Sequence, residues 1–382
     1  MRKITMIQFG CGKMSKLTMR YALEKGIKLL GAFDIDESKI GTDIGDFLEL
    51  GKKLNVKIAH ADTLDEFLLN HEVDIAVVTT TSLFNENYPI YEICAKNGVN
   101  VISTCEEAFY AQNSSPKLAK KLDKLAKENG VTICGSGYQD VFWGNLISVL
   151  GGATHKITTI RGKSSYNVED YGISLARVHG AGLSKKQFAK EISSLDNITE
   201  EERAKLIKEG KFAPSFMWNV NGWLCSKLGL HITSQVQETI PQIAEEDIYS
   251  STLDMTIPKG HCTGMSAVVT TKTKEGTTII SECIGKVYNS KEFDCNDWTI
   301  EGEPTTRVVI ERPATAELTC ATVINRIPEV LVAEPGYTTT EQMPENIYKA
   351  HNIDKYLQIV ECEDEDCACH GDCAHHDCHC EE

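Results

Sequence analysis

The feature that most constrains this chain lies at its start. Ile4 to Phe9 is a short apolar run, Gly10–Cys11–Gly12–Lys13–Met14–Ser15 reads as a tight turn, and Lys16 to Lys25 is helix-like, so the order is strand, turn, helix. A second strand, Lys28 to Phe33, ends at Asp34, and apolar runs at Ile75 to Thr79, Val99 to Ser103 and Val131 to Cys134 alternate with helical patterns at Leu64 to Asn70, Tyr88 to Asn97 and Lys117 to Asn129. Strands alternating with helices predict parallel βαβ units in a doubly wound sheet.

The chemistry of the turn follows from its residues. Glycines at Gly10 and Gly12 let the backbone approach a pyrophosphate and aim the free N–H groups of the following helix at it, with Ser15 where a third glycine usually falls. Gly10, Gly12, Lys13, Met14 and Ser15 are therefore candidate cofactor-binding residues. Asp34 stands about 20 residues on, where a carboxylate accepts hydrogen bonds from the ribose hydroxyls and repels a 2′-phosphate. The pattern predicts a Rossmann dinucleotide-binding domain that favours NAD over NADP. A non-binding α/β fold with a solvated Asp34 is the alternative, and the combined strand, turn, helix and acid argue against it. Thr79, Thr80, Thr81 and Ser82 form a hydroxyl cluster at the carboxyl edge of the sheet. They suit the nicotinamide ribose or the cap of the next helix.

Beyond Gly135–Ser136–Gly137 the pattern changes. Lys156 to Tyr166, Ala267 to Lys272, Thr277 to Cys283 and Arg307 to Ile310 read as strands, with a hairpin expected at Lys274–Glu275–Gly276, and Ser184 to Glu209 reads as one or two exposed helices. Ala314 to Arg326 reads as a helix. The expected fold is α/β: a Rossmann domain (1–135), an α+β substrate and dimerisation domain (136–312), a segment returning to the first domain (313–360) and a tail (361–382).

Composition excludes several classes. A net charge of −16 argues against nucleic-acid binding, and no run of about 18 apolar residues exists to span a membrane. Met1–Arg2–Lys3 leads straight into a strand rather than a signal-peptide core, so the cytoplasm is expected. Of the 15 cysteines, six fall in the last 21 residues. There Cys362, Cys367, Cys369, Cys373, Cys378 and Cys380 interleave with His370, His375, His376 and His379, a donor set suited to zinc or copper(I), with a redox-active or disordered tail as the alternative.

Candidate catalytic groups are the carboxylates Glu106 and Glu107, directly after the strand Val99 to Ser103. One of them can serve as general acid–base; both can equally favour the start of a following helix, and the sequence does not choose. Cys105 beside them has no assignable base, so a packing role is expected. Tyr138, Asp140, Trp143 and Asn145, at the junction between the domains, suit a small-molecule pocket, and His179 is a weaker candidate for it.

Three stretches carry a family resemblance. Gly31–Ala32–Phe33–Asp34–Ile35–Asp36 with Ile40 to Gly45, Asn100 to Glu107, and Ala321 to Pro328 with Ala333–Glu334–Pro335–Gly336 resemble the 2,4-diaminopentanoate dehydrogenase family, which is related to dihydrodipicolinate reductase and the native amine dehydrogenases. The resemblance covers nearly the whole chain except the tail. It implies a homodimer catalysing NAD(P)-dependent oxidative deamination of a small amine or diamine to a ketone and ammonia, or the reverse, as in ornithine degradation. It also implies a glutamate that handles the amine proton, at a position within Glu106–Glu107. One departure stands out: where a short Asn–Pro–Gly-like segment is expected, Tyr138–Gln139–Asp140–Val141–Phe142–Trp143 is bulkier and more acidic, with Asp140 placed either to pair a second ammonium or to face water. A cyclic-imine reductase and a dinucleotide or metal sensor are the rival readings. No His–His pair followed by a lysine motif supports the first.

Overall fold

The computed structural model describes residues 3–357. The ten tail residues from Cys362 to Cys380 proposed as metal ligands lie outside them. Strands β1 (Thr5–Phe9), β2 (Lys28–Asp34), β3 (Ile58–His60), β4 (Ile75–Val78), β5 (Asn100–Ser103) and β6 (Thr132–Gly135) form one parallel sheet in the order β6-β5-β4-β1-β2-β3. β4 is buried at every position, as a continuous apolar run requires when helices cover both faces. Pro116–Glu128 shows how such a cover forms: Ala119, Leu122 and Ala126 share its buried face, while its lysines stay outside. Burying Leu122 contributes about 2 kcal/mol.

A second, mixed sheet is built from β7 (Lys156–Asn167), β8 (Ile232–Ile243), β11 (Cys262–Thr273), β12 (Thr278–Lys286), β13 (Cys295–Glu303) and β14 (Thr306–Glu311), with the short hairpin β9 (Ile248–Ser250) and β10 (Met255–Ile257) apart. Its order is β14-β13-β7-β12-β11-β8; the expected hairpin at Gly276 joins β11 to β12. The helix Phe216–Lys227 is buried without a break from Met217 to Cys225 and packs on β8, β11 and β12. Ser184 to Glu209 folds as short helical pieces ending in Glu200–Glu209, whose Thr199 and Glu202 make a capping box.

The chain then returns to the first sheet. The expected helix at Ala314 to Arg326 runs instead over Thr315–Val332, through Pro328. Proline forfeits one backbone hydrogen bond, but Ile324, Ile327 and Val330 are anchored in the core beneath the first sheet, and that burial outweighs the loss. After it, β15 (Gly336–Tyr337) pairs in parallel with β6. No helix among the described residues is long and apolar enough to cross a membrane.

Candidate active site

The strand order of the first sheet reverses between β1 and β4, the crevice where open parallel sheets hold ligands. Gly10 sits there with φ +86°, and a Cβ on it would stand 2.5 Å from the Thr79 carbonyl oxygen. Only glycine fits. Gly12 caps the helix Lys13–Glu24, and a Cβ on it would meet nothing within 4 Å. Open space therefore lies at a helix start whose first N–H groups have no intrahelical acceptor. Asp34 Oδ2 accepts the Cys11 N–H at 2.6 Å and Oδ1 accepts the Asp36 N–H at 2.9 Å, with Lys39 Nζ at 3.4 Å. This donor set and space fit the diphosphate and ribose of a dinucleotide.

Not every expected contact faces that space. The Ser15 hydroxyl is buried and donates to the Gly12 carbonyl at 2.7 Å, so Ser15 secures the turn rather than offering its side chain to a phosphate. The Thr79 hydroxyl accepts from Gln8 Nε2 at 2.9 Å and donates to the Gly10 carbonyl at 3.1 Å, while the Thr80 hydroxyl donates to Asn87 Oδ1. Asn87 Nδ2 also donates to the Thr81 carbonyl at 2.9 Å. These threonines line the cleft and brace its rim. Lys13 Nζ crosses to the second domain and donates to the Asp170 carbonyl at 2.7 Å.

From Met14 and Thr79 to Ser82 a cleft of about 560 Å³ opens toward the second domain, where Tyr138, Trp143, Tyr166, Tyr171 and Phe216 wall it. Ser82, Tyr166, Leu175, Val178 and Phe216 also line a further chamber of about 500 Å³ that reaches β8 and β11. Tyr166, Tyr171 and Phe216 are wall residues that the sequence did not mark.

Glu106 and Glu107 have opposite surroundings. Glu107 is 4% exposed, and its Oε2 accepts the Phe84 N–H at 2.7 Å while Oε1 accepts the hydroxyls of Ser114 at 2.7 Å and Ser115 at 2.8 Å. It pins the loop after β5 and does not line the cleft, so it is not placed to move a substrate proton. Glu106 does line the cleft. Burial pushes its carboxyl above the ordinary glutamate value, partly offset by a hydrogen bond from the Ser82 side chain. Cys105 is buried with its thiol directed to the Ser82 carbonyl at 3.2 Å, and burial raises its pKa, so it packs rather than reacts.

The junction segment is also divided. Gln139–Asn145 is a π-helical stretch. Tyr138 and Trp143 reach the cleft; Tyr138 stacks on Phe142 at 4.3 Å, and Trp143 Nε1 donates to Asn296 at 3.0 Å. Asp140 and Asn145 do not. Asp140 is fully buried, with Arg326 Nε and Nη2 each 3.0 Å from one of its oxygens, and it also accepts from Ser136 at 2.8 Å and Asn145 Nδ2 at 2.7 Å. It has no face left for a substrate ammonium. His179 lines the further chamber. Its Nδ1 lies 2.9 Å from the Leu175 carbonyl and Nε2 lies 2.6 Å from the Tyr166 hydroxyl. A carbonyl only accepts, so Nδ1 carries the proton, and burial lowers the pKa and keeps the ring neutral.

Among the described residues no group of three or more His, Cys, Asp or Glu is placed to hold a metal ion.

Residues 142–358 match the family model described as the 2,4-diaminopentanoate dehydrogenase C-terminal domain. The solved structure of an amine dehydrogenase from Mycobacterium smegmatis is 34% identical, covers 92% of this chain and 98% of that one, and superposes with a TM-score of 0.81. A 2,4-diaminopentanoate dehydrogenase of Acetoanaerobium sticklandii is 24% identical over 196 residues, half of this chain and 54% of the relative. The chain spans about half the length of that curated relative or less of the others it matches. Scyllo-inositol dehydrogenase from Lactobacillus casei, solved with NAD(H), shares the fold at 13% identity, a TM-score of 0.51, and coverage of 94% of both chains.

Proposed function

The chain belongs to the 2,4-diaminopentanoate dehydrogenase family, and from that premise we propose that it catalyses NAD(P)-dependent oxidative deamination of a small amine, or the reverse reductive amination, with Glu106 as the general acid–base. The observation that carries this reading is Glu106 itself: a carboxylate without a cationic partner in the cleft lining, facing aromatic walls beside the dinucleotide crevice. A substrate ammonium there meets one negative charge and several π faces, both of which attract a cation. Glu106, its affinity for protons raised by burial, takes the ammonium proton, which frees the nitrogen lone pair to expel hydride from the same carbon. A bound dinucleotide supplies the hydride acceptor, held by Gly10, Gly12, the helix start at Lys13 and Met14, and Asp34, with Thr79, Thr80 and Thr81 shaping the rim. Water then adds to the iminium carbon and ammonia leaves, with Glu106 relaying the proton.

The same proposal places the enzyme as a homodimer in the cytoplasm. The nine cysteines of the described residues, all unpaired, support a reducing compartment. The tail then holds zinc or copper(I) as an accessory, and removal of residues 361–382 leaves turnover intact. The test is NADH formation from NAD with a panel of amines and diamines, including 2,4-diaminopentanoate. Turnover of at least one amine is expected, and silence across the panel despite measurable NAD binding would sink the proposal.

A further inference from the structure

The deamination proposed above must lodge two protons in succession before ammonia leaves, one from the substrate ammonium and one from the water that adds to the iminium. Glu106 accepts the first. It is then a neutral acid when the water arrives, and a carboxyl that already carries its proton cannot serve as the base for a second.

The lining holds another group with the geometry of a base. Tyr166 lines both chambers of the cleft, and His179 lines the further one. The tautomer of His179 is set from its far side: Nδ1 lies 2.9 Å from the Leu175 carbonyl, which only accepts, so Nδ1 carries the proton and Nε2 keeps a lone pair. That lone pair lies 2.6 Å from the Tyr166 hydroxyl, which therefore donates its single proton to His179 and keeps its oxygen as an acceptor. Burial, and after it the groups Cys283 and Glu106, hold this phenol well above its ordinary value, so the donor stays protonated at rest. Strand β12 makes room for the pair at Gly285. A Cβ there would stand 2.7 Å from the Tyr166 oxygen and 2.5 Å from His179 Cδ2, so any side chain would push the two rings out of place.

We infer that Tyr166 and His179 form a second proton relay, which serves the water step while Glu106 serves the amine step. The inference rests on the amine-dehydrogenase reading above for the iminium on which the water acts. As the water oxygen bonds to the iminium carbon, the C=N π pair returns to nitrogen. The water passes a proton to the Tyr166 oxygen, and Tyr166 passes its own to His179 Nε2. A neutral carbinolamine then stands beside neutral Glu106 and an imidazolium. Glu106 protonates the carbinolamine nitrogen, the C–N bond breaks with its pair going to nitrogen, and the hydroxyl proton returns to Glu106 as the ketone forms. His179 gives its proton back through Tyr166 to ammonia, which departs as ammonium, and Glu106 loses the remaining proton to solvent. Tyr166 is the catalytic residue of this relay, because it touches the water; His179 acts through it.

The test separates hydride transfer from hydration in the full chain, with NAD and with 2,4-diaminopentanoate and pentan-2-amine as probes. NADH formation is followed by stopped flow, and the iminium is trapped by quenching with borodeuteride, which returns deuterium-labelled amine. Tyr166→Phe is expected to give a first-turnover burst of NADH at the parent rate, then a steady state about 100-fold slower, with labelled amine accumulating. His179→Gln keeps an acceptor for the Tyr166 hydroxyl but no base, and it is expected to show the same burst and the same slow steady state. A purely structural role would slow the burst as well. A burst slowed in step with turnover, or turnover unchanged in both variants, overturns the relay and leaves the deamination reading standing. No NADH from the parent with either probe sinks that reading and the relay with it. Should Tyr166→Phe not fold, His179→Gln carries the same test.

Discussion

Two loops leave neighbouring strands at the same edge of the first sheet and meet opposite fates. After β5, Glu106 enters the cleft without a cation beside it; after β6, Asp140 is clasped by Arg326 and closed off from it. Asp140 is fully buried and Glu106 is partly exposed to the cleft, yet both carboxylates lose water that an isolated acid would keep. The difference lies in who shares the burial. Asp140 is neutralised by a side chain that returns from the far end of the chain and so welds that segment to the first domain, whereas Glu106 is left with a displaced proton affinity that a reaction can use. An acid at a sheet edge is thus read by its partners, and four substitutions test that contrast.

The largest effect belongs to the welded side. Arg326→Met leaves Asp140 buried and unpaired and is expected to cost about 3–5 kcal/mol in urea unfolding; a loss below about 1 kcal/mol would show that the pair does not hold the segment. On the reactive side, Glu106→Gln is expected to lower kcat about 10²–10⁴-fold with NAD affinity preserved. Its effect on stability should have the opposite sign. Because burial raises the folded-state pKa of Glu106 above its unfolded value, the stability this group contributes is present below the unfolded value and is lost as pH rises through the folded value. A glutamine never ionises, so the variant should melt no lower than the parent at neutral pH. In the parent, kcat/KM for deamination should fall as pH drops through the raised Glu106 value, and persistence of that limb in Glu106→Gln would assign it to another group.

Glu107→Gln sharpens the comparison from one residue away. It weakens the grip on Phe84, Ser114 and Ser115, so it is expected to cost about 1–3 kcal/mol of stability and to reduce turnover far less than Glu106→Gln. Comparable kinetic losses in both would mean the loop acts as a unit. The smallest effect is expected at the cofactor: Asp34→Ala should relax the preference for NAD over NADP about tenfold, helped by Lys39, which Asp34 and Asp36 now hold at 3.4 and 3.2 Å. An unchanged ratio would remove Asp34 from ribose recognition.

How much of this was legible in the sequence follows from the range of the interactions. The first β–turn–α unit is local: apolar run, glycines and helix lie within 25 residues, and the structure contains them as β1, Gly10 to Gly12 and Lys13–Glu24. The hairpin at Gly276 is equally local. What separates Glu106 from Glu107 is not, because Phe84 comes 23 positions before Glu107 and the serines belong to a later turn. Asp140 was readable as a pocket acid only while Arg326, 186 positions away, was unknown as its partner. Tyr166 ends an expected strand, yet nothing in its neighbours says that the strand end faces a cavity; that depends on where the second sheet docks. The helix expected to end at Arg326 runs on through Pro328 for the same reason, since the proline's local cost is real and the core that offsets it is distant.

The path of the chain between its two sheets has a mechanical consequence. The second sheet is entered after β6 and left through Pro313 into the helix Thr315–Val332, which packs back on Lys13–Glu24. It is joined to the first domain by two backbone connections and by buried polar ties from the helix Phe216–Lys227, in which Trp218 Nε1 donates to the Asn113 carbonyl and Trp223 Nε1 donates to the Thr340 hydroxyl. A single cut in either connection would therefore leave the second sheet attached, by the other connection and by these ties.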